Sequence, residues 1–143
     1  MADESDAALR AAAETAIDDC LAVAADERVV VVTDDERRRI GEALYAVAAE
    51  RTGAATVVRY PPGDQHGEEP PEPVAAAMAA ADAYLAPTTR SLSHTRARSR
   101  ATEAGARGAT LPGITETVLT AGLDADYEAV AAARAWVHAS RRG

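Results

Sequence analysis

The sequence predicts an α/β fold: a four-stranded parallel sheet with helices on both faces. Three observations carry this. Short Val- and Ala-rich segments alternate with longer amphipathic ones along the chain. Val29 to Val32 are four consecutive β-branched residues, the pattern of a strand buried on both faces. Glycine, proline and polar clusters separate the segments at regular intervals.

Leu9, Ala12, Ala16, Ile17, Cys20 and Leu21 recur at helical spacing, so residues 6–24 read as an amphipathic helix. The first strand is 29–32. Thr33 and Asp34 can cap a helix over 35–51, whose inner face carries Ile40, Leu44, Val47 and Ala48 and which closes at Gly53. Residues 55–60 form the second strand. The next segment, 61–73, holds five prolines and two glycines and reads as a loop. An Ala-rich helix over 74–81 and a brief strand over 83–86, stopped by Pro87, follow. After the polar loop TTRSLSH come a helix over 94–104, a strand over 107–111, and helices over 115–121 and 125–140. The 143 residues match one domain, 1–143, in the manner of a flavodoxin- or Rossmann-like three-layer sandwich.

Composition narrows the function classes. Apolar residues make up 48% but aromatic ones only 3%, and there is no Phe, so small residues must pack the core. No run approaches the ~18 apolar residues of a membrane span, and Asp3, Glu4 and Asp6 stand where a signal peptide needs positive charge. This predicts a soluble, cytoplasmic protein without membrane partners. Cys20 is the single cysteine, which excludes an internal disulfide and a multi-cysteine zinc site. The net charge is -8, and all fifteen basic residues are arginine. That balance fits GC-rich coding combined with an acidic, halophilic surface, and it argues against nucleic acid as a partner. Residues 87–111 run against the trend, with Arg90, Arg96, Arg98, Arg100 and Arg107 opposed only by Glu103.

In open α/β sheets ligands bind beyond the carboxyl ends of the strands, where strand order reverses. Those ends are residues 33–36, 61–73, 87–94 and 112–115, and two of the three histidines, His66 and His94, lie there. Thr89, Arg90, Ser91, Ser93 and Arg96 surround the start of a helix whose first N–H groups lack intrahelical partners, an arrangement that suits a carboxylate or phosphate. The plainer alternative is a capping Ser93 beside solvated arginines. His94 is the candidate for proton transfer, because imidazole can hold or release a proton near neutral pH; it can equally be a polar first-turn residue. His66 with Glu68 and Glu69 is a poor metal signature. Asp34, Asp35 and Glu36 could bind Mg²⁺ but read as first-turn acids favoured by the helix dipole, and His138 reads as packing on the last helix.

The strings HGEEPP (66–71), ADAYLAPTTRSLSHTRAR (81–98) and ATEAGARGATLPGITE (101–116) resemble the N-terminal half of the thermophilic metallo-aminopeptidase family, the leucyl aminopeptidase or aminopeptidase T-like enzymes. Dihydroxypyridine ring-cleaving dioxygenases share that scaffold. The resemblance covers about residues 27–123. It implies the substrate-facing half of a leucyl-aminopeptidase-type hydrolase, with Thr89, Ser91, His94 and Arg96 presented to a small-molecule or peptide substrate. His66 would act in loop closure, and Gly113 would form the turn after the fourth strand. The family's divalent metal is held by a C-terminal half that this sequence lacks, so no metal ligand is assigned here. The implied partner is a metal-bearing half or a second copy. The chain is then either part of a longer enzyme or a stand-alone descendant without the metal. Two alternatives remain: a non-catalytic domain binding a small anion or partner, and the N-terminal part of an Fe(II) ring-cleaving dioxygenase-like protein.

Overall fold

A computed structural model describes residues 4–124. In chain order the elements are α1 (Glu4–Glu14), a π-helical turn (Thr15–Cys20), β1 (Arg28–Asp34), α2 (Arg38–Arg51), β2 (Ala54–Tyr60), α3 (Glu72–Ala80), β3 (Ala83–Ala86), α4 (Arg96–Glu103), β4 (Arg107–Thr110) and α5 (Glu116–Asp124). The strands form one parallel sheet in the order β2-β1-β3-β4. This is the predicted α/β class. The expected helix over 125–140, with His138, lies outside the described residues.

β1 is central and buried on both sides, which explains its unbroken valines. Val29 and Val31 pack into a core with Leu9, Ile17, Leu44, Val47 and Leu119 from α1, the π turn, α2 and α5. Val30 and Val32 face the opposite core, built with Val74, Met78, Tyr84, Ala97 and Ala101 from α3, β3 and α4. Alternate residues of one strand thus feed two helical layers. The edge strand β2 is only half covered.

With no Phe available, Tyr84 is the largest fully buried side chain among the described residues. Room for it comes from Gly108, its register partner on β4: a Cβ there would collide with the Tyr84 backbone carbonyl and ring. Burial pushes the Tyr84 phenol above its ordinary pKa, against the lowering influence of the neighbouring Arg98.

Three boundaries differ from expectation for identifiable reasons. The first helix stops at Cys20 because its end slips to π pairing, Leu21 N–H donating to Ala16 O, and Ala22 then turns with φ 51°. α2 starts three residues late, because the Asp34 carboxylate takes the N–H groups of Glu36 and Arg37 into a turn. α4 begins at Arg96, capped not by Ser93 but by Thr95, whose hydroxyl accepts from Arg98 N–H.

Candidate functional site

The chain runs from β1 outward to β2, then returns past β1 to β3, so strand order reverses between β1 and β3. In open α/β sheets ligands bind where the two loops that leave such a reversal diverge. Here those loops are Asp34 to Arg37 after β1 and Pro87 to Thr95 after β3.

Asp34 is only 1% exposed and ties these loops together. Its Oδ2 accepts Thr89 N–H at 2.6 Å, and its Oδ1 accepts the Thr89 hydroxyl at 3.0 Å. That hydroxyl also lies 3.0 Å from Glu36 Oε2. Thr89 is therefore held by two carboxylates. Thr33 reinforces the junction, its hydroxyl donating to Arg37 O at 3.0 Å and Pro87 O at 3.1 Å. Thr88 donates to Arg90 O at 2.6 Å, and its own carbonyl accepts Gly113 N–H at 2.7 Å. Gly113 has φ 66°, as a turn after β4 requires.

The proline-rich segment 61–71 docks on the same loop. Ser91 N–H donates to His66 Nδ1 at 2.9 Å, while Gly67 N–H donates to Ser91 O at 3.0 Å. An accepting Nδ1 places the ring proton on Nε2. Arg90 Nε reaches Gly63 O at 3.3 Å. Ser91 Oγ accepts Ser93 N–H, and the Ser93 hydroxyl pairs with that of Thr110 at 2.6 Å. At the end of β2, burial, and then the charges of Asp34 and Glu68, push the Tyr60 phenol up to about 12.

The start of α4 is not free. Glu69 Oε2 accepts Arg96 N–H at 2.7 Å, and Oε1 accepts Ala97 N–H at 3.1 Å. The helix terminus expected to hold a ligand anion already holds the chain's own carboxylate, which its unpaired N–H groups and dipole favour. Beside it Glu69, Glu72, Arg96 and Arg100 line a groove of about 450 Å³, across which Arg100 pairs with Glu72 at 2.8 Å. Arg96 and His94 are exposed.

The fold thus brings His66, Thr89, Arg90, Ser91 and Ser93 into one hydrogen-bonded region, whereas His94 makes no side-chain hydrogen bond among the described residues. Comparison of the chain with protein-family models, curated proteins and solved structures finds no significant match.

Asp34 and Glu69 were not singled out as site residues from sequence. The position of Asp34 at a strand's carboxyl end was the available signal for the first; nothing local marks the second. Among the described residues no three His, Cys, Asp or Glu side chains gather to hold a metal ion. A larger cavity of about 490 Å³ lies at the opposite, amino end of the sheet, lined by Glu27, Asp82 and Arg107 among others. There the Arg107 guanidinium is consumed by Glu27, at 2.6 and 2.7 Å, and by the carbonyls of Leu21 and Ala22.

Proposed function

We propose that this chain is the substrate-facing α/β part of an aminopeptidase-like hydrolase, binding a small peptide or other small molecule at the crevice between β1 and β3. The observation that carries the reading is a juxtaposition. Two of the three strings that carry the family resemblance, HGEEPP and ADAYLAPTTRSLSHTRAR, are separate in sequence yet pair at the carboxyl edge of β3, His66 with Ser91 and Glu69 with the amides of Arg96 and Ala97.

In this reading Arg90 or Arg96 meets the substrate carboxylate, the Ser91 and Ser93 hydroxyls donate hydrogen bonds, and His94 exchanges a proton with the substrate. Thr89 contributes through Asp34 and Glu36 by fixing the loop. Exposure suits His94 to a reacting group that arrives from outside the domain. A divalent metal would polarise the scissile carbonyl and activate water. Its ligands belong to residues beyond those described here, in a second half or a partner chain.

A second reading is favoured by the occupied α4 terminus. With Glu69 seated on the amides of Arg96 and Ala97, the loop is already satisfied, as suits a binding domain that performs no chemistry.

The test is leucine release from the dipeptide Leu-Gly by the assembly isolated through this chain from its own cells. Replacing His94→Ala is expected to lower the rate per folded molecule by about 10²- to 10⁴-fold, the range for a lost general acid or base. No release, or an unchanged rate in the variant, would contradict the catalytic role and favour the binding domain.

A further inference from the structure

We propose that residues 61–71 form a strap over the crevice, latched by a neutral His66 and an ionised Glu69, and that acid opens it. The segment leaves the end of β2, yet its attachments fall on the loop and helix that follow β3, on the far side of β1. It therefore passes from the β2 side of β1 to the β3 side at the carboxyl edge of the sheet. Residues 64–69 are exposed throughout, so few buried contacts hold the strap down. Segments fastened mainly by exposed hydrogen bonds open at the lowest free energies in a fold.

The fastenings are few and chemically specific. Gly67 N–H to Ser91 O and Arg90 Nε to Gly63 O use strap backbone and do not titrate in the neutral range. The other two attachments depend on protonation state. A proton on His66 Nδ1 turns an acceptor into a donor facing the Ser91 N–H. A proton on Glu69 sets a hydroxyl against one of the amides of Arg96 and Ala97. Both changes oppose docking, and both come with acid.

The charged and titratable groups around the latch are Asp64 and Glu68 on the strap, Arg90, His94, Arg96 and Arg100 from the loop and helix after β3, and Glu72 on α3. Asp34, Glu36 and Tyr60 stand at the ends of β1 and β2. Glu68 is turned inward along the strap, its Oε2 accepting Asp64 N–H at 3.1 Å. Gly67, with φ 84°, supplies a left-handed turn in the middle of the strap, where a side chain would be strained.

That the strap gates a binding crevice rests on the function proposed above; the latch itself does not. Amide hydrogen exchange on the full chain without substrate tests it, compared at about pH 8, about pH 5 and about pH 3.5, across the ranges where imidazole and then carboxylates ordinarily take up a proton. After correction for intrinsic rates, Ser91 should lose about tenfold or more of its protection by about pH 5, the scale of one lost hydrogen bond, and Arg96 and Ala97 should lose theirs only by about pH 3.5, where carboxylates ordinarily take up a proton. Arg98, bonded to Thr95, and Leu111, bonded to Ala86 O, should keep theirs. Replacing His66→Ala should expose the Ser91 amide at every pH, and Glu69→Gln those of Arg96 and Ala97. Retained protection of the three amides in acid would overturn the latch, as would losses in step with Arg98 and Leu111. A ligand that fails to bind the crevice would sink the proposed function and leave the exchange result standing.

Discussion

Asp34 accepts both the backbone N–H and the hydroxyl of Thr89, at 2.6 and 3.0 Å, across the reversal point of the sheet. The same carboxylate accepts Glu36 N–H and Arg37 N–H. It thereby sets where α2 begins and where the loop after β3 sits. Asp34→Ala would leave these donors without their acceptor in a buried place and should cost about 2–4 kcal/mol in urea unfolding. Asp34→Asn should cost less, about 1–3 kcal/mol, because one amide oxygen still accepts while the NH₂ opposes a donor. A change within about 0.5 kcal/mol for Asp34→Ala would remove Asp34 from this role.

The fit of Tyr84 against Gly108 sets a second expectation. Gly108→Ala places a methyl group against the Tyr84 carbonyl and ring, backbone that cannot swing aside. Gly41→Ala is comparable, its Cβ falling 2.6 Å from Thr33 Cβ. Each should destabilise by about 1–3 kcal/mol, the range for overpacking. Gly53→Ala has open space and no positive φ, so it serves as the unaffected control in the same thermal unfolding series.

At the amino end of the sheet, the Arg107 guanidinium holds the Glu27 carboxyl below its ordinary value of 4.5, with the Ala24 N–H assisting against burial. A depressed carboxyl contributes stability that is present above its unfolded value and lost as pH falls through the folded one. Stability measured from pH 4.5 downward should therefore fall more steeply in the native chain than in Arg107→Leu. Asp18 and Asp82 are held low mainly by Arg51 and Arg28, so they contribute to both proteins and largely cancel. Parallel slopes would mean that the pair contributes nothing to acid sensitivity.

Metal content offers a check on the division of labour. His66 already accepts a hydrogen bond at Nδ1 from Ser91, and the described acids nearby are engaged with backbone N–H groups or hydroxyls. Elemental analysis after dialysis should find no stoichiometric Zn²⁺, Co²⁺ or Fe²⁺ on the isolated chain. One tightly held ion per chain would place metal ligands on this polypeptide and revise the roles of its histidines.

Much of the fold was legible because local pattern and tertiary need coincide. Val29 to Val32 read as a strand buried on both faces, and they are split between the two cores. The proline-rich 61–73 read as loop, and it is one as far as Pro71, with Glu72 and Pro73 already in the first turn of α3, where proline is tolerated. The late start of α2 was not legible, because Asp34 looked like a helix-turn acid and its commitment to Thr89 spans 55 positions. The hydrogen-bonded grouping at the candidate site was legible in part. Strand ends and hydroxyl-rich composition pointed to Thr89, Arg90 and Ser91. That Glu69 fills the start of α4 depends on a contact 27 residues away, and no local periodicity encodes it.

The proposed ligand site lies between the loops that follow β1 and β3. Titrating the isotope-labelled chain with Leu-Gly, and separately with inorganic phosphate, while following amide chemical shifts tests it most directly. The account predicts saturable shifts from Leu-Gly confined to Asp34, Thr89, Arg90, Ser91 and their neighbours, weakened in Arg90→Ala. Phosphate should give smaller shifts at the same residues. Saturable shifts centred on the Glu27 and Arg107 end of the sheet, or none at Thr89 to Ser91, would contradict it.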